Sequence, residues 1–577
     1  MHKSLSFLLL SACCLSLPTF ADPYVGYIYP AGIQAGTTNR FLVGGQKLPP
    51  RGGFHFSGTG LHVLDIEPVP NFPNPPGLQR QHLTRWLDRI AAGDLTEPPL
   101  PNDPHLSEWR SNRWWSALGT LDAGKRALVE RDLFTPRNAL QASPSLRQMM
   151  LVTIAADADA PSGVRFFSAW GGTGMSAPRP FVVTPGRHVA EPLYTPPHRA
   201  RPEAPFVDAR TGECHLDGQI MPGQTDVFRL RLAGGRVYAF NVTARELQPY
   251  IGDAVPGFFN PQLALKDRQG KVVATADDAA RFRPDPVLAF TPPADGEYAL
   301  EIHDVLYRGR ADFVYTVRVG DPLPAQAMKP DGVVDRPGAV SSKAVTIEAP
   351  GPCVFEVMAR RRGSPLDAVL TLRDKANGAV LARWDDQTNQ VVVGTIPQGG
   401  YDPIGTFDFQ KAGEYVAEIS DRTGHGGPEY GWWLDVRAPK PGFRVYSTRS
   451  TLPLRPDKPL KVGFRIQRQD GFMGAVTLEF PNVVSASNTV AVAGTNELVC
   501  TLMPGWERMP LPETVEVFAR AEVNGATVRV PVQPCDEYEQ AFAWHHLVPA
   551  EAFLCHSPAG RKAPGRKWKQ GKKKRPR

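Results

Sequence analysis

Two clusters of aspartate are the side chains in this sequence whose type and spacing most directly suggest chemistry. They consist of Asp277, Asp278 and Asp285, and of Asp385, Asp386 and Asp402. Carboxylate oxygens are the hard ligands that Ca²⁺ prefers, so these six residues are candidate calcium ligands. The alternative is a solvated turn whose aspartates bond local backbone amides, because no complete ligand set is recognisable. Asp304 and Asp421, at the ends of predicted strands, are expected to cap a turn or pair with an arginine.

A basic tail is the second chemical feature. Residues 561–577 contain ten lysines or arginines and no acid, so the net charge of +7 belongs to the tail and the rest is slightly acidic. We predict that residues 557–577 are disordered and attract an anionic polymer, such as envelope polysaccharide, acidic lipid or nucleic acid. A merely solvated tail is the alternative. The candidate polymer-binding residues are Arg566, Lys567, Trp568, Lys569, Lys572, Lys573, Lys574 and Arg575.

Familiar catalytic motifs are absent from the sequence, which has no Gly-x-Ser-x-Gly elbow, no His-Glu-x-x-His helix and no phosphate loop of the full form Gly-x-x-x-x-Gly-Lys-Ser/Thr. The sandwich segments offer no ordered His/Asp/Ser set either. Soft metal ligands gather near the C terminus, but their spacing fits no common zinc pattern and incidental clustering is favoured. These residues are Cys535, His545, His546, Cys555 and His556. An unfamiliar hydrolase site would have to lie among His82, Asp88, His105 and Glu108.

The N terminus reads as an export signal. Residues 1–21 begin with a positive charge, continue through an apolar run from Leu5 to Leu17 that is too short to span a bilayer, and end in small residues. Cleavage after Ala21 is favoured over lipid attachment to Cys13 in a lipobox-like sequence. No later segment is long and apolar enough to cross a membrane. Five cysteines remain after cleavage, and a disulfide between Cys535 and Cys555 stays open.

An internal duplication positions the aspartate clusters. Segments of the first copy, such as Asp295-Gly-Glu-Tyr298 and Glu301-Ile-His-Asp304, recur 117 positions later as Ala412-Gly-Glu-Tyr415 and Glu418-Ile-Ser-Asp421. The same offset joins Val237–Phe240 to Val354–Val357. The repeated positions are alternating apolar residues and turn residues, which build a sheet. We therefore predict two copies of one β domain, at 212–322 and 335–438.

The two copies resemble the bacterial pre-peptidase C-terminal (PPC) domain. The resemblance rests on DGQIMPGQTDVFRLRL, PQLALKDRQGKVVATADD and the segment from Asp285 to Gly320, and it is closer for the first copy. It implies a jelly-roll-like β-sandwich, and some members of that family bind calcium. The whole layout is similar to multidomain exported envelope proteins of Planctomycetes-like bacteria. That similarity implies export and implies no particular reaction.

The remaining segments complete a mainly β fold class, a string of Ig-like and jelly-roll-like sandwiches. Residues 22–190 are predicted to form an Ig-like sandwich with a helical insertion at 73–148, because Leu83, Trp86, Leu87 and Ile90 follow helical spacing. Its four tryptophans either pack the insertion onto the sheet, which is favoured, or form an aromatic binding surface. A Pro-rich linker at 191–211 is expected to be a semi-rigid spacer. An Ig- or cadherin-like sandwich is predicted at 442–545, with an Asn524-Gly525 hairpin.

Three functions follow from these features. The favoured one is an exported, non-catalytic binding or scaffolding protein of the cell envelope, whose partners are polysaccharide or other exported proteins. The second is a secreted hydrolase, or its accessory subunit, because the PPC-like domain accompanies secreted peptidases. The third is a calcium-dependent adhesive module built on the aspartate clusters. No other cofactor is expected.

Overall fold

The computed structural model describes most of the chain after the predicted signal. The described residues are 22–49, 52–72, 80–102, 104–134, 146–171, 174–193, 195–196, 198–247, 258–278, 285–323, 329–386, 391, 393, 402–505, 511–540 and 544–557. The predicted signal, Cys13 and the polymer-binding residues of the tail lie outside them. The side chains of His105 and His545 also lie outside. The fold is mainly β and consists of a string of β-sandwiches.

The N-terminal sandwich packs a sheet of order β1-β3-β6-β5 against a sheet of order β2-β9-β7-β4, with β8 beside β7. Phenylalanines of alternating strands, including Phe41, Phe167 and Phe181, are fully buried between the sheets. The strands are β1 (Tyr24–Tyr29), β2 (Gly32–Gln34), β3 (Thr38–Gln46), β4 (Gly52–Phe56), β5 (Leu61–Val69), β6 (Gln148–Ala156), β7 (Gly163–Gly171), β8 (Gly174–Met175) and β9 (Arg179–Thr184).

A helical insertion separates β5 from β6, as the spacing predicted. Its helices are α1 (Arg80–Ala91), α2 (Ser107–Ser111), α3 (Trp114–Thr120) and α4 (Ala123–Phe134). The four residues at helical spacing in α1 are all buried. Trp86, Trp109 and Trp115 are buried in one cluster with Leu42 and Leu151 of the sheet. The indole Nε1 of Trp86 donates to the Trp115 carbonyl at 2.9 Å. The tryptophans therefore pack the insertion onto the sandwich rather than forming an exposed surface.

The first repeat is a jelly roll with two added edge strands. Its sheets have the orders β10-β12-β19-β14-β17 and β11-β13-β18-β15-β16, and the chain from β12 to β19 changes layer at every step except between β15 and β16. The strands are β10 (Arg187–Ala190), β11 (Phe206–Asp208), β12 (Cys214–Gln219), β13 (Asp226–Leu232), β14 (Tyr238–Thr243), β15 (Pro261–Lys266), β16 (Val272–Ala276), β17 (Val287–Phe290), β18 (Gly296–Asp304) and β19 (Val314–Gly320).

The second repeat has the same topology without the added strands. Its sheets have the orders β20-β27-β22-β25 and β21-β26-β23-β24, which match the first repeat strand for strand. The jelly-roll-like fold class is therefore observed in both copies. The strands are β20 (Gly332–Val333), β21 (Val340–Ile347), β22 (Gly351–Met358), β23 (Ala368–Asp374), β24 (Val380–Trp384), β25 (Ile404–Phe409), β26 (Gly413–Asp421) and β27 (Gly431–Arg437).

The constant offset of 117 residues is correct for the last three strands and wrong for earlier ones. Phe240 pairs with Val319, and the equivalent Val436 pairs with Phe355 rather than with Val357. Likewise Leu263 pairs with Ile302, and the equivalent Ile419 pairs with Leu370 rather than with Val380. Strand pairing fixes the structural register, whereas the connecting loops differ in length between the copies.

The last sandwich continues beyond residue 545. Its sheets have the orders β28-β30-β34-β32 and β33-β31-β36-β37, joined by β29-β40-β35 and by the hairpin β38-β39. Asn524 and Gly525 both have positive φ and connect β36 to β37, which confirms the predicted hairpin. The strands are β28 (Gly442–Ser447), β29 (Thr451–Pro453), β30 (Leu460–Gln469), β31 (Val476–Glu479), β32 (Val484–Ser487), β33 (Val490–Ala491), β34 (Glu497–Pro504), β35 (Glu513–Val515), β36 (Phe518–Val523), β37 (Ala526–Pro531), β38 (Cys535–Gln540), β39 (Trp544–Pro549) and β40 (Phe553–His556).

The sandwiches are in contact with one another, although the Pro-rich segment was expected to act as a spacer between them. Strand β11 lies inside the Pro-rich segment and extends a sheet of the first jelly roll, beside β13. The first and last sandwiches also touch, because Asp22 pairs with Arg449 at 2.7 Å and the ring of Trp170 meets that of His556. The Pro-rich segment is therefore part of a packed junction rather than a free spacer. No helix among the described residues has the length and apolar character needed to span a bilayer.

Candidate functional site at the junction of the first two sandwiches

The predicted calcium ligands divide into two structural roles. Asp285 and Asp402 are buried, and each accepts backbone N–H groups from the turn that follows the third strand of its jelly roll. Asp285 accepts from Ala244 at 2.8 Å and from Arg245 at 2.9 Å. Burial raises the pKa of Asp285 to about 7, against the lowering effect of these amide bonds. Both carboxylates therefore close a turn, which was the alternative interpretation.

The paired aspartates stay near the surface. Asp277 accepts from the backbone N–H of Asp278 at 3.0 Å, and Asp385 and Asp386 face Arg422 at 3.1 and 3.3 Å. Within the described ranges, no group of three or more His, Cys, Asp or Glu side chains is arranged to hold a metal ion. The structure therefore does not assemble the six aspartates into one ligand set.

Asp304 and Asp421 cap turns, as predicted. Asp304 is fully buried, accepts the backbone N–H groups of Asn260, Leu306 and Arg308, and forms an ion pair with the Arg308 guanidinium at 2.8 Å. Burial alone would raise the pKa of Asp304, but the bonds from Arg308 and the backbone hold it below its usual range. Asp421 accepts from the equivalent backbone N–H groups and from the Thr423 hydroxyl.

The soft ligands near the C terminus also remain apart. All five cysteines of the described residues carry free thiols, so Cys535 and Cys555 are not joined by a disulfide. Burial raises the pKa of each of these two thiols to about 12, which makes them poor thiolate donors. In the helical insertion, Asp88 pairs with Arg199, and His82 is exposed on α1. Neither predicted group forms a reactive centre among the described side chains.

A row of reactive side chains that the sequence did not indicate lies where β9, β10 and β12 meet. Thr184 Oγ1 lies 3.0 Å from His188 Nε2, and His188 Nδ1 lies 2.8 Å from Asp217 Oδ2. Asp217 is fully buried and the His188 side chain is 7% exposed. The sequence analysis did not predict this row, in which a threonine takes the place of the serine. The order hydroxyl, imidazole, carboxylate is that of a nucleophilic triad.

The hydroxyl in this row is engaged elsewhere. Thr184 Oγ1 donates to the Gly186 carbonyl at 3.0 Å, and Thr184 itself is buried. A triad nucleophile must instead give its proton to the imidazole and present its oxygen to a substrate. In this conformation the row links three strands of two neighbouring sandwiches and leaves no exposed nucleophile.

Two carboxyl groups, those of Glu191 and Asp226, interact beside this row. The carboxyl of Glu191 bonds that of Asp226, and burial followed by repulsion from Asp226 raises the pKa of Glu191 well above its usual range. Tyr315 donates its hydroxyl to Asp226 Oδ2 at 2.8 Å, and Gln224 Nε2 donates to Glu191 Oε1 at 2.9 Å. Tyr29 of β1 donates to the Glu191 carbonyl at 2.6 Å. A protonated Glu191 can donate to Asp226, so the pair holds together as one acid and one carboxylate.

A cavity of about 450 Å³ lies against both groups. Its wall includes Tyr29, Leu128 and Leu193 as apolar surface, and His188, Asp217 and Glu191 as polar groups. Arg40, also on the wall, is paired with Glu67. The volume is within the range of small-molecule sites. This junction is the candidate functional site, since it combines a cavity with buried titratable groups.

The polar groups at the junction form a buried hydrogen-bond network between the two sandwiches. Arg131 of α4 is buried and donates to Gln219 Oε1 of β12 at 2.8 Å, which adds the helical insertion to the same network. Leu247 and Val314 of the first jelly roll belong to the apolar cluster of the insertion. Buried networks of this kind rigidify the elements that they join. The first two sandwiches are therefore held together by a buried network, and a cavity lies at their interface.

Sequence reasoning missed the junction because strand pairing, and not local spacing, brings its two groups of residues together. One signal was present: Asp226 has the same parity as Phe228, Leu230 and Leu232 in an alternating strand, which places a carboxylate on the buried face. A carboxylate at such a position requires a donor partner. The partner itself, Glu191, lies in the linker and follows no pattern.

Comparisons with known proteins give distant matches to other β-sandwich proteins. No family model and no curated protein matches the chain. The fibronectin(III)-like modules of Clostridium thermocellum CbhA are 14% identical over 35% of this chain and 98% of theirs, with a TM-score of 0.11. The D1–D4 ectodomain fragment of ICAM-5 is 12% identical over 89% of this chain and 98% of that chain, with a TM-score of 0.12. At these TM-scores the matches assign neither a domain arrangement nor a function.

Proposed function

We propose that this chain is an exported, non-catalytic binding or scaffolding protein of the bacterial cell envelope, which presents β-sandwiches to polysaccharide or protein partners. The observation that supports this function is the use of polar groups at the junction. Thr184 donates to a backbone carbonyl, and Glu191 and Asp226 bond one another. The potentially reactive groups are thus engaged in hydrogen bonds within the protein, and these bonds hold the first two sandwiches together.

The PPC-like resemblance adds to this proposal. Both repeats have the eight-strand jelly-roll order that the resemblance implies. Jelly rolls serve lectins and capsid proteins as rigid platforms whose loops carry the binding surface. The predicted signal at 1–21 would deliver this frame out of the cytoplasm, and the basic tail would add a salt-sensitive attachment to an anionic polymer.

A pull-down against envelope polymers tests the proposal. The mature chain is compared with a chain lacking residues 557–577, at two salt concentrations. We expect the full mature chain to retain polymer, and the truncated chain to lose the salt-sensitive part of that retention. Failure of both chains to retain any polymer or exported protein contradicts the proposal.

A hydrolase is the second candidate, because the Thr184–His188–Asp217 row lies beside the cavity. A repositioned Thr184 side chain would complete the order that nucleophilic catalysis needs. The test is a broad ester, amide and glycoside screen on the mature protein, with Thr184→Val and Asp217→Asn as variants. Turnover that both substitutions abolish, with the fold retained, would establish the enzyme. Absence of turnover in the wild type would leave the binding function.

A further inference from the structure

The loop after the seventh jelly-roll strand has the same backbone in both repeats. In the first repeat, Tyr307 N donates to the Asp304 carbonyl at 2.7 Å, and Gly223 N donates to the Tyr307 carbonyl at 3.2 Å. In the second repeat, Gly424 N donates to the Asp421 carbonyl at 3.2 Å, and Gly338 N donates to the Gly424 carbonyl at 3.0 Å. Tyr307 and Gly424 are therefore structural equivalents.

The side chain at this position differs, although the backbone requirement is the same. Tyr307 has φ +52° and Gly424 has φ +78°, both in the left-handed region. Glycine adopts this conformation freely, whereas a bulky residue rarely does. The first repeat therefore has a tyrosine in a left-handed conformation, whereas the second repeat has glycine, the residue expected there.

Burial does not offset this strain. The Tyr307 residue is 56% exposed and its neighbour Leu306 is 68% exposed. The loop is nevertheless held firmly, because Asp304 accepts the N–H groups of Leu306 and Arg308 and pairs with the Arg308 guanidinium. A strained, exposed aromatic residue on a fixed loop is a feature that function explains and folding does not.

The Tyr307 ring is stacked on a second ring, which covers one of its faces, while the Tyr307 residue as a whole is 56% exposed. It stacks on the ring of His303 with centroids 4.5 Å apart and planes inclined by 8°. His303 Nδ1 donates to the Asp304 carbonyl at 3.0 Å, which fixes the imidazole. We name His303 and Tyr307 the ring platform. Gln262 stands opposite His303 on β15, and the Lys266–Glu301 ion pair lies further along the same two strands.

We propose that the ring platform binds the pyranose ring of an uncharged polysaccharide. The electron-rich face of an aromatic ring attracts the C–H bonds on the flat face of a sugar, and the neighbouring amide of Gln262 can bond its hydroxyls. The inference rests on the proposed polymer-binding function and names the place and the ligand class. Tyr307 contributes the contact surface, and Asp304 is the positioning residue that holds the loop.

Charge and size favour a neutral sugar over other partners. Lys266 is paired with Glu301, and Arg308 with Asp304, so these side chains offer no surplus positive charge for a phosphate backbone. A stable protein–protein interface needs an extended surface with a buried centre, whereas the tyrosine ring, backed by the His303 ring, matches one sugar ring in size.

The experiment measures binding of the full mature chain to cellohexaose and chitohexaose by calorimetry, with thermal melting of each variant. Tyr307→Gly removes the ring and gives the loop its preferred residue, and Tyr307→Phe keeps the ring. We expect Tyr307→Gly to weaken binding by at least about tenfold with a melting temperature equal to or above that of the wild type. Tyr307→Phe should stay within about threefold of the wild-type affinity.

The outcomes separate this inference from the proposed function. Polymer retention that Tyr307→Gly leaves unchanged overturns the ring platform and leaves the binding function standing. A marked fall in the melting temperature of Tyr307→Gly also overturns it, because Tyr307 would then serve folding. The sugar assignment is overturned if the wild type binds neither hexasaccharide, or if it captures a protein in a Tyr307-dependent way instead. Only failure of the polymer pull-down overturns both the ring platform and the proposed function.

Discussion

The two jelly rolls share one topology and one set of structural aspartates, but they carry different chemistry at their edges. Asp285 and Asp402 close equivalent turns, and Asp304 and Asp421 cap equivalent loops. Among the described residues, the added strands β10 and β11 and the Glu191–Asp226 carboxyl pair belong to the first copy. By strand pairing, Asp226 of the first copy corresponds to Ser341, and Tyr315 corresponds to Trp432. Backbone-capping carboxylates thus belong to the fold, whereas the junction chemistry and the ring platform belong to one copy.

Removing the loop caps gives the largest expected difference between the copies. Asp304→Ala leaves the Arg308 guanidinium without its carboxylate and three N–H groups without their acceptor, so it should lower the free energy of unfolding by about 3–5 kcal/mol. Asp421→Ala removes an acceptor that has no close arginine partner, and should cost about 1–3 kcal/mol. Calorimetric unfolding of each variant provides the measurement.

Asp335→Ala is the matched control, since Asp335 is exposed and its carboxyl lies 3.6 Å from the Arg336 guanidinium. It should change the free energy of unfolding by less than about 0.5 kcal/mol. Equal losses for Asp304→Ala and Asp421→Ala would show that the Arg308 ion pair adds nothing to the first copy.

The carboxyl pair at the junction should make the first copy sensitive to pH. Burial and Asp226 raise the folded-state pKa of Glu191 above its unfolded value, so the folded state keeps a proton that the unfolded state has lost. Stability is therefore fully present below the usual glutamate pKa and falls as pH rises above it, by at most about 1.4 kcal/mol per pH unit. Glu191→Gln should flatten this slope, because an amide replaces the protonated carboxyl as donor to Asp226.

Melting temperatures of wild type and Glu191→Gln between pH 5 and pH 9 measure the effect. His188, Asp217 and Arg201 are present in both proteins, whereas the pKa of Asp226, which burial raises to about 6, also depends on Glu191 and contributes to the difference. Parallel curves would mean that Glu191 carries no proton in the folded protein. The second copy has Ser341 in place of Asp226, so a substitution at Ser341 should not alter the dependence of the melting temperature on pH.

Local sequence patterns predicted individual helices and hairpins, whereas the candidate site at the junction depends on strand pairing between distant segments. Helical spacing found α1, and Asn524-Gly525 found the hairpin, because both signals lie within a few residues of sequence. Repetition found the duplicated fold but misplaced Phe240 against its counterpart, since loop lengths change without affecting strand pairing. The junction joins residues of the linker to two strands of the jelly roll, and no local signal specifies that meeting.

Transferring the tyrosine to the second copy gives the smallest expected effect and isolates its backbone cost. Gly424→Tyr should lower the free energy of unfolding by about 1–2 kcal/mol, the cost of a left-handed residue with a side chain. A Cβ at Gly424 meets no other atom within 4 Å, so steric overlap adds nothing at that atom. Gly424→Asn is the control, because asparagine tolerates this conformation and should cost less. Equal stability of Gly424→Tyr and wild type would remove the strain at Tyr307 as a reason to assign it a function, since the same loop would then accept tyrosine freely.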